Sequence, residues 1–531
     1  MMGSPHTRRA GVLALTLMSA ACAGRATVQA PTAGHVPEPV PPVMMPAPPV
    51  VAPPTARAIV ARMADSAVSA PMWRNARWGM LIVDATTGDT LVAHDADKLF
   101  VPASNEKVLT TAIALQLLGP EYRWRTPVLL RGEQRGPVFR GDIVVIGRGD
   151  PTVSESMHAG DALAAFEPVA DALRARGITR VTGSIITSGD AFTGQTSGYA
   201  WEIDDLDTPS GAAVDELLFN EGLLHLVVRG AAKAGTAPSV QRAPTAAYPP
   251  LRIEATTRLA TDTGARLDVA YDTVAGALRV TGTIPVGDSV RLSASYRHPN
   301  DAYRAALAER LLTRGIRVAG GAPTVAARAG RRGARAAMPP REDTLVTLES
   351  APLREVLPRL LKPSQNQLAE IFFRTSGLVT SGSGEADSAR AVGARTLAAM
   401  GVTGEQVAYR DGSGMSRHDY VSPRALVRVL DTMHRSAWAD LYRQSMPQAG
   451  VDGTIANRMK NTPAAGNASA KTGTLDKTRS LSGYVNSADG HVVIFALLCN
   501  SFTVPNREVE RVQDLLVSTL AGMQLGVARG R

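Results

Sequence analysis

The sequence predicts a mixed α/β (α+β) catalytic domain interrupted by a large β-rich insertion. Three observations lead there. Residues 55–126 and 345–531 carry apolar repeats at helical spacing alongside hairpins, whereas 127–344 is a series of short β-like runs separated by Gly and Pro. A Ser-x-x-Lys pair, Ser104 and Lys107, stands where the first long helix of the leading flank begins. At 531 residues the chain is also too long for one core, so two or three domains are expected.

The N-terminus, "MMGSPHTRRAGVLALTLMSAACAG", places Arg8 and Arg9 before an apolar run and then small residues. That is the pattern of a secretory signal peptide over 1–23. Its apolar run is too short for a permanent membrane span, so export to the periplasm or cell envelope is expected. Cys22 has two readings: the lipidated first residue of a lipoprotein, or a bystander before ordinary cleavage. The small residues before Cys22 favour lipidation, and the absence of Leu three positions earlier counts against it. Residues 24–54 are a proline-rich, semi-rigid tether without a packing pattern.

Next, "TARAIVARMADSAV" from Thr55 has helical spacing, and "WGMLIVDATTGDTLVAHDADKLF" (78–100) reads as a hairpin turning at "TTGD". "NEKVLTTAIALQLLGPEYRW" is a helix starting at Ser104 and stopped by Gly119-Pro120. Within 127–344 the strands include "DIVVIG", "LLHLVVRG", "ALRVTGTIP" and "SVRLSASY", with one helix at 302–315. The stretch 326–342, rich in Arg, Gly, Ala and Pro, reads as a flexible boundary. Beyond it come amphipathic helices, a hairpin at 481–500 turning at Asp489-Gly490, and a last helix from Asn506.

With only two cysteines, and Cys22 inside the signal, the mature fold has no internal disulfide to form, and Cys499 reads as a buried strand residue. The net charge of +9 is spread mostly as single arginines. It suits work beside anionic lipid headgroups or an anionic polymer. No zinc-finger spacing or aromatic-rich RNA-binding signature supports nucleic acid as a partner.

The pair Ser104 and Lys107 becomes chemical only if lysine can act as a base. Residues three apart share a helix face, but lysine is protonated at neutral pH unless burial or a second cation lowers its pKa. A second cation is available in Lys471-Thr472-Gly473, at the start of what reads as an edge strand, where Gly473 would let a ligand approach the backbone. Between the two lies Ser364-Gln365-Asn366. Each motif alone is weak. The ordered set Ser-x-x-Lys, Ser-x-Asn, Lys-Thr-Gly is strong, and it marks penicillin-recognising serine enzymes.

At these residues, and at "VPASNEKVLTTAIALQLLGPEYRWRT", "IGRGDPTV" (146–153), "DGSGMSRHDYVSP" (411–423) and "KTGTLDKTRSLSGYV", the chain resembles the class C low-molecular-mass penicillin-binding proteins. These are D-Ala-D-Ala carboxypeptidase/endopeptidases, and the resemblance covers about 55 to 525. It departs at Met415, where leucine is usual, and at Asp476-Lys477. The resemblance implies a penicillin-recognising serine transpeptidase/β-lactamase-like domain built from 55–126 and 345–531, with 127–344 inserted as two subdomains. It implies peptidoglycan stem peptides as substrate, β-lactams as inhibitors, and no metal or cofactor.

The same resemblance assigns roles. Ser104 is the nucleophile and Lys107 its base; Ser364 relays a proton to the leaving amine, and Asn366 holds the substrate amide. Lys471 keeps Lys107 neutral and attracts the substrate carboxylate with Thr472 and Thr474, while the backbone N–H groups of Ser104 and Thr474 form the oxyanion hole. Trp201, Asp204, Arg417 and Leu475 line the site for the diaminopimelate arm, and one position of misalignment would exchange Asp204 for Asp205. Two rivals remain at this stage: a β-lactamase, and a non-catalytic penicillin-recognising cell-wall-binding protein.

Overall fold

The computed structural model describes residues 55–245, 248–259, 261, 264–321 and 342–526. The expected signal peptide (1–23) and tether (24–54), with Cys22, lie outside them, as does nearly all of the 326–342 stretch. The described residues pack as one compact unit.

The chain opens with a helix, Ala56–Val68, capped by Thr55. Then come β1 (Arg77–Asp84), β2 (Thr90–His94) and the helix Glu106–Leu118. β3 (Arg125–Arg135), β4 (Val138–Ile146), a helix Glu167–Ala175, β5 (Arg180–Val181) and β6 (Ile185–Ser188) follow. The next run is β7 (Leu223–Arg229), β8 (Ser239–Ala243), β9 (Leu251–Ile253), β10 (Thr256–Arg258), β11 (Arg266–Asp272), β12 (Ala277–Pro285) and β13 (Ser289–Ser295). It ends in the helix Pro299–Thr313 and β14 (Arg317–Val318). β15 (Glu342–Glu349) leads to helices Leu353–Leu361, Asn366–Ser381 and Ala386–Ala399, then to β16 (Val407–Ala408) and β17 (Tyr420–Val421). Helices Pro423–His434 and Ala439–Ser445, β18 (Ser469–Leu475), β19 (Thr478–Asn486), β20 (Val492–Asn500) and the helix Asn506–Gly522 complete it.

The principal sheet is antiparallel with order β18-β19-β20-β1-β2, so β18 is an edge strand. β20 and most of β1 read as apolar runs because both faces are covered, whereas β19 also carries the buried Ser480 and Ser482. Successive side chains point to opposite faces. Met80, Ile82, Phe495 and Leu497 enter the core beneath helices Ala56–Val68 and Asn506–Gly522. Leu81, Ile494, Ala496 and Leu498 enter the other core, with helices Glu106–Leu118, Asn366–Ser381 and Pro423–His434. Each fully buried side chain of this size contributes about 1.5–3 kcal/mol. Cys499 is buried on the first face, and burial pushes its thiol pKa up.

A separate core lies under three smaller sheets, built from strands β3 to β15. Two expectations need correction here. The helix at 302–315 is not alone: Glu167–Ala175 is a second one, with Pro168 at its first turn and Val169, Ala170 and Leu173 buried. Its pattern is only nine residues long and is easily lost among the strands around it. The expected borders 126/127 and 344/345 do not fall in loops. They cut through β3 and β15, which pair antiparallel from Arg125 opposite Glu349 to Arg131 opposite Glu342.

Candidate active site

The nucleophile candidate sits on a strained turn. A single 3-10 turn, Ala103–Asn105, precedes the α-helix, which starts at Glu106 rather than at Ser104. Ala103 is buried with φ +49°, a left-handed backbone that an alanine holds only when its surroundings impose it. Those surroundings are the sheet edge. Asn105 Nδ2 donates to the Lys471 carbonyl at 3.1 Å and to Ser480 Oγ at 2.7 Å, and Ser482 Oγ donates to Asn105 Oδ1. Ser480 Oγ donates to the Pro102 carbonyl at 2.6 Å.

Gly473 serves this same contact. A Cβ there would lie 2.3 Å from the Pro102 oxygen and 2.1 Å from Ser480 Oγ. The glycine therefore admits the Ser104 turn against β18, rather than a ligand as the sequence suggested.

Lys107 is fully buried, and its Nζ has three neighbours. Ser104 Oγ is 3.0 Å away, Asn366 Oδ1 2.6 Å and the Ser413 carbonyl oxygen 2.6 Å. A neutral amine has two N–H bonds and one lone pair. Two carbonyl-type oxygens take the N–H bonds, which leaves the lone pair for the Ser104 hydroxyl. Burial pushes the Lys107 pKa down to about 7, against the neighbouring acids Asp411, Glu370, Glu106 and Asp419, each of which favours its protonation when ionised. Desolvation rather than a second cation is thus the leading cause of the depression.

Lys471 is equally buried in β18. Its Nζ donates to Ser364 Oγ and to the Thr472 carbonyl, both at 2.8 Å. Burial, and then the charge of Lys107, push its pKa well below the usual lysine range. Ser364 has φ +66° and precedes the helix Asn366–Ser381, whose first turn is capped by the Gln365 side chain. Asn366 faces two ways: Oδ1 accepts from Lys107, and Nδ2 donates to the Ser210 carbonyl of the insertion at 2.9 Å.

Ser104, Ser364, Asn366, Thr474, Leu475 and Arg417 all line one groove of about 550 Å³, together with Met415, Glu202 and Asp205. Thr472 lies beside it, its hydroxyl donating to Thr454 Oγ1 at 2.7 Å. Trp201 and Asp204 are placed differently from expectation. Trp201 is buried off the groove, and its indole N–H donates to Asp411 Oδ2 at 2.8 Å. Asp204 is exposed, while its neighbours Asp205 and Glu202 line the groove. Glu202 forms an ion pair with Arg417. Sequence reading gave no role to Asn105, Glu370, Asp411 or Ser413. Asp411 and Ser413 stood in the quoted "DGSGMSR", and only the folded loop reveals their work.

Comparison with known proteins places this geometry. Residues 60–522 match the model of the D-Ala-D-Ala carboxypeptidase 3 (S13) family. A D-alanyl-D-alanine carboxypeptidase from an Actinomadura species is 30% identical over 473 residues, covering 86% of this chain and 83% of that one. The D-alanyl-D-alanine carboxypeptidase DacB of Haemophilus influenzae is 23% identical over 461 residues, 83% of this chain and 88% of the relative. Among solved structures, penicillin binding protein 4 (dacB) from Haemophilus influenzae superposes with TM-score 0.69 at 21% identity, over 86% of this chain and 98% of that one. The same protein complexed with a β-lactam gives TM-score 0.64 at 20% identity, over 86% and 99%.

Proposed function

The chain belongs to the D-Ala-D-Ala carboxypeptidase 3 family, and from that premise we propose that Ser104 and Lys107 are the nucleophile and base of its reaction. The enzyme is a serine D-Ala-D-Ala peptidase acting on peptidoglycan stem peptides through an acyl-enzyme, with β-lactams as inhibitors. The observation that carries the assignment is the Lys107 amine, whose two carbonyl partners leave its lone pair to Ser104 Oγ at 3.0 Å.

In this reading Lys107 Nζ takes the Ser104 hydroxyl proton as Oγ bonds to the carbonyl carbon of the penultimate D-Ala. The resulting oxyanion faces the backbone N–H groups of Ser104 and Thr474. Collapse breaks the C–N bond, and the leaving amine takes a proton from Ser364, which Lys471 resupplies over 2.8 Å. Water then attacks the ester. Its proton returns to Lys471 through Ser364, and Ser104 regains its own from Lys107. Lys471 and Thr472, with Thr474, receive the substrate's terminal carboxylate, and Asn366 holds the amide. Leu475, Arg417 and an acidic residue of 197–211 line the diaminopimelate end of the groove. The catalytic domain is 55–124 with 350–531, and the segment 125–349, bounded by the paired strands β3 and β15, is its insertion of two subdomains.

The N-terminal signal exports the protein to the periplasmic side of the envelope, and in the lipoprotein reading cleavage falls just before Cys22, which then becomes the lipidated first residue. Among the described residues no helix is long and apolar enough to cross a membrane. Cys22→Ala should release the protein from membranes; a wild-type protein found free of membranes sinks the anchor.

Ser104→Ala is the central test. It should abolish both penicillin labelling and D-Ala release with the thermal transition unchanged. Labelling that survives places the nucleophile elsewhere, and rapid release of the label by the wild-type enzyme indicates a β-lactamase.

A further inference from the structure

We infer that Trp201 is a positioning residue for Lys107, acting through Asp411 and the loop 411–416. The inference rests on the reading of Lys107 as base. Trp201 comes from the insertion, 210 residues before Asp411, and is 9% exposed. Its indole N–H is one of four donors on the buried Asp411 carboxyl. The others are the backbone N–H groups of Ser413 at 3.0 Å, Gly414 at 2.6 Å and Ser416 at 2.8 Å. Four N–H donors suit a carboxylate, and they hold it against the buried Asp419 carboxyl, whose pKa burial and then the Asp411 charge raise well above the usual range.

The loop wound on Asp411 presents the Ser413 carbonyl to Lys107 Nζ at 2.6 Å. Glu370 braces it from the far side, with Oε1 accepting from the Gly412 and Ser413 N–H groups at 2.9 Å each. Gly414 lets the loop lie directly on the nucleophile's turn, since a Cβ there would come 1.9 Å from the Ala103 oxygen. The loop's own three N–H groups fold it on the carboxylate and so aim the amine, while the indole N–H from the insertion completes the donor set and tunes the charge that Lys107 meets.

Asp411 also acts through its charge, the largest single charge effect favouring a proton on Lys107. The other ionisable groups facing Lys107 are Glu106 from its own helix, Glu370 from Asn366–Ser381, Asp419 from the segment entering β17, and Lys471 from β18. An N–H donor spreads the negative charge of a carboxylate. Without it, Asp411 holds the proton on Lys107 more strongly, and less free base remains at neutral pH.

Trp201→Phe keeps the apolar ring and removes only the donor. Penicillin has no diaminopimelate arm, so its acylation rate reads the base alone. The acidic limb of the acylation profile should rise by about half to one pH unit, which lowers acylation at pH 6 roughly three- to ten-fold. The alkaline plateau should stay in place, and turnover of diaminopimelate pentapeptide should fall by the same factor. Asp411→Asn removes the charge and should move the limb the opposite way. Loss confined to the peptide would make Trp201 a substrate wall, a uniform loss at all pH values would make it purely structural, and either overturns the inference. So does a limb that moves in the same direction in both variants. Acylation of wild-type protein at Ser104 tests the underlying reading separately.

Discussion

Lys471 Nζ reaches from the sheet edge to donate a 2.8 Å hydrogen bond to Ser364 Oγ, and Ser364 meets it in a left-handed backbone with φ +66°. A serine holds that conformation at a cost of about 1–3 kcal/mol, which its surroundings must offset. Glycine holds it without strain.

Ser364→Gly should therefore raise stability by about 0.5–1 kcal/mol, or lower it less than Ser364→Ala does, while abolishing efficient turnover. Thermal melts and D-Ala release, measured on both variants, check the two halves. A glycine variant that keeps full turnover removes Ser364 from the proton path.

Lys471→Ala separates burial from charge. Burial leads the depression of Lys107 to about 7. In the proposed mechanism the free amine is the base, so acylation should fall as pH drops through that value. With Lys471 gone the limb should stay near 7, while the plateau falls about a hundred-fold or more from loss of the proposed proton donor. A limb that climbs by a unit shows instead that repulsion between the two amines sets the pKa.

The two adjacent aspartates of 197–211 should differ. Asp205 lines the groove, and burial, then the nearby Glu202 charge, raise its pKa, so a substrate ammonium there meets an under-compensated acid. Asp205→Asn should lower kcat/KM on diaminopimelate peptides about ten-fold and leave penicillin acylation within two-fold. Asp204→Asn should change neither. The reverse pattern restores the assignment the sequence suggested.

Glu106 carries a pH-dependent liability. It is fully buried, and neither carboxyl oxygen has a hydrogen-bond partner among the described residues. Burial, then the Asp411 charge, raise its pKa well above the usual range. A carboxyl with a raised folded pKa binds more protons folded than unfolded, so its contribution is lost as pH rises above about 4.5, its unfolded value. Glu106→Gln removes that loss. Its melting temperature should match wild type near pH 5 and exceed it at pH 8. Equal differences at the two pH values would mean that Glu106 is not protonated in the native state.

What sequence alone determined here is local or ordered along the chain. Ser104 and Lys107 are three residues apart, so the turn that makes one nearly makes the other, and the contact is legible before any packing is known. The order of the three motifs, and the edge position of Lys471 in a final antiparallel sheet, follow from strand runs and hairpin turns. The glutamate beside Lys107 is visible in "SNEK", but its burial is not.

Tertiary packing decided the rest, because those relations join residues hundreds of positions apart. Asn105 finds Ser480 and Ser482 only when the Ser104 turn docks on β19, and Gly473 takes its meaning from that docking. Trp201 reads from sequence as a groove wall, yet its N–H finds a buried carboxylate first, and an indole entering the interior needs such an acceptor. Asp204 and Asp205 differ by one step of a 3-10 turn, which rotates neighbouring side chains by about 120°, so one faces the groove and the other water. No periodicity in the chain sets the phase of that turn; the contacts that hold its two ends do.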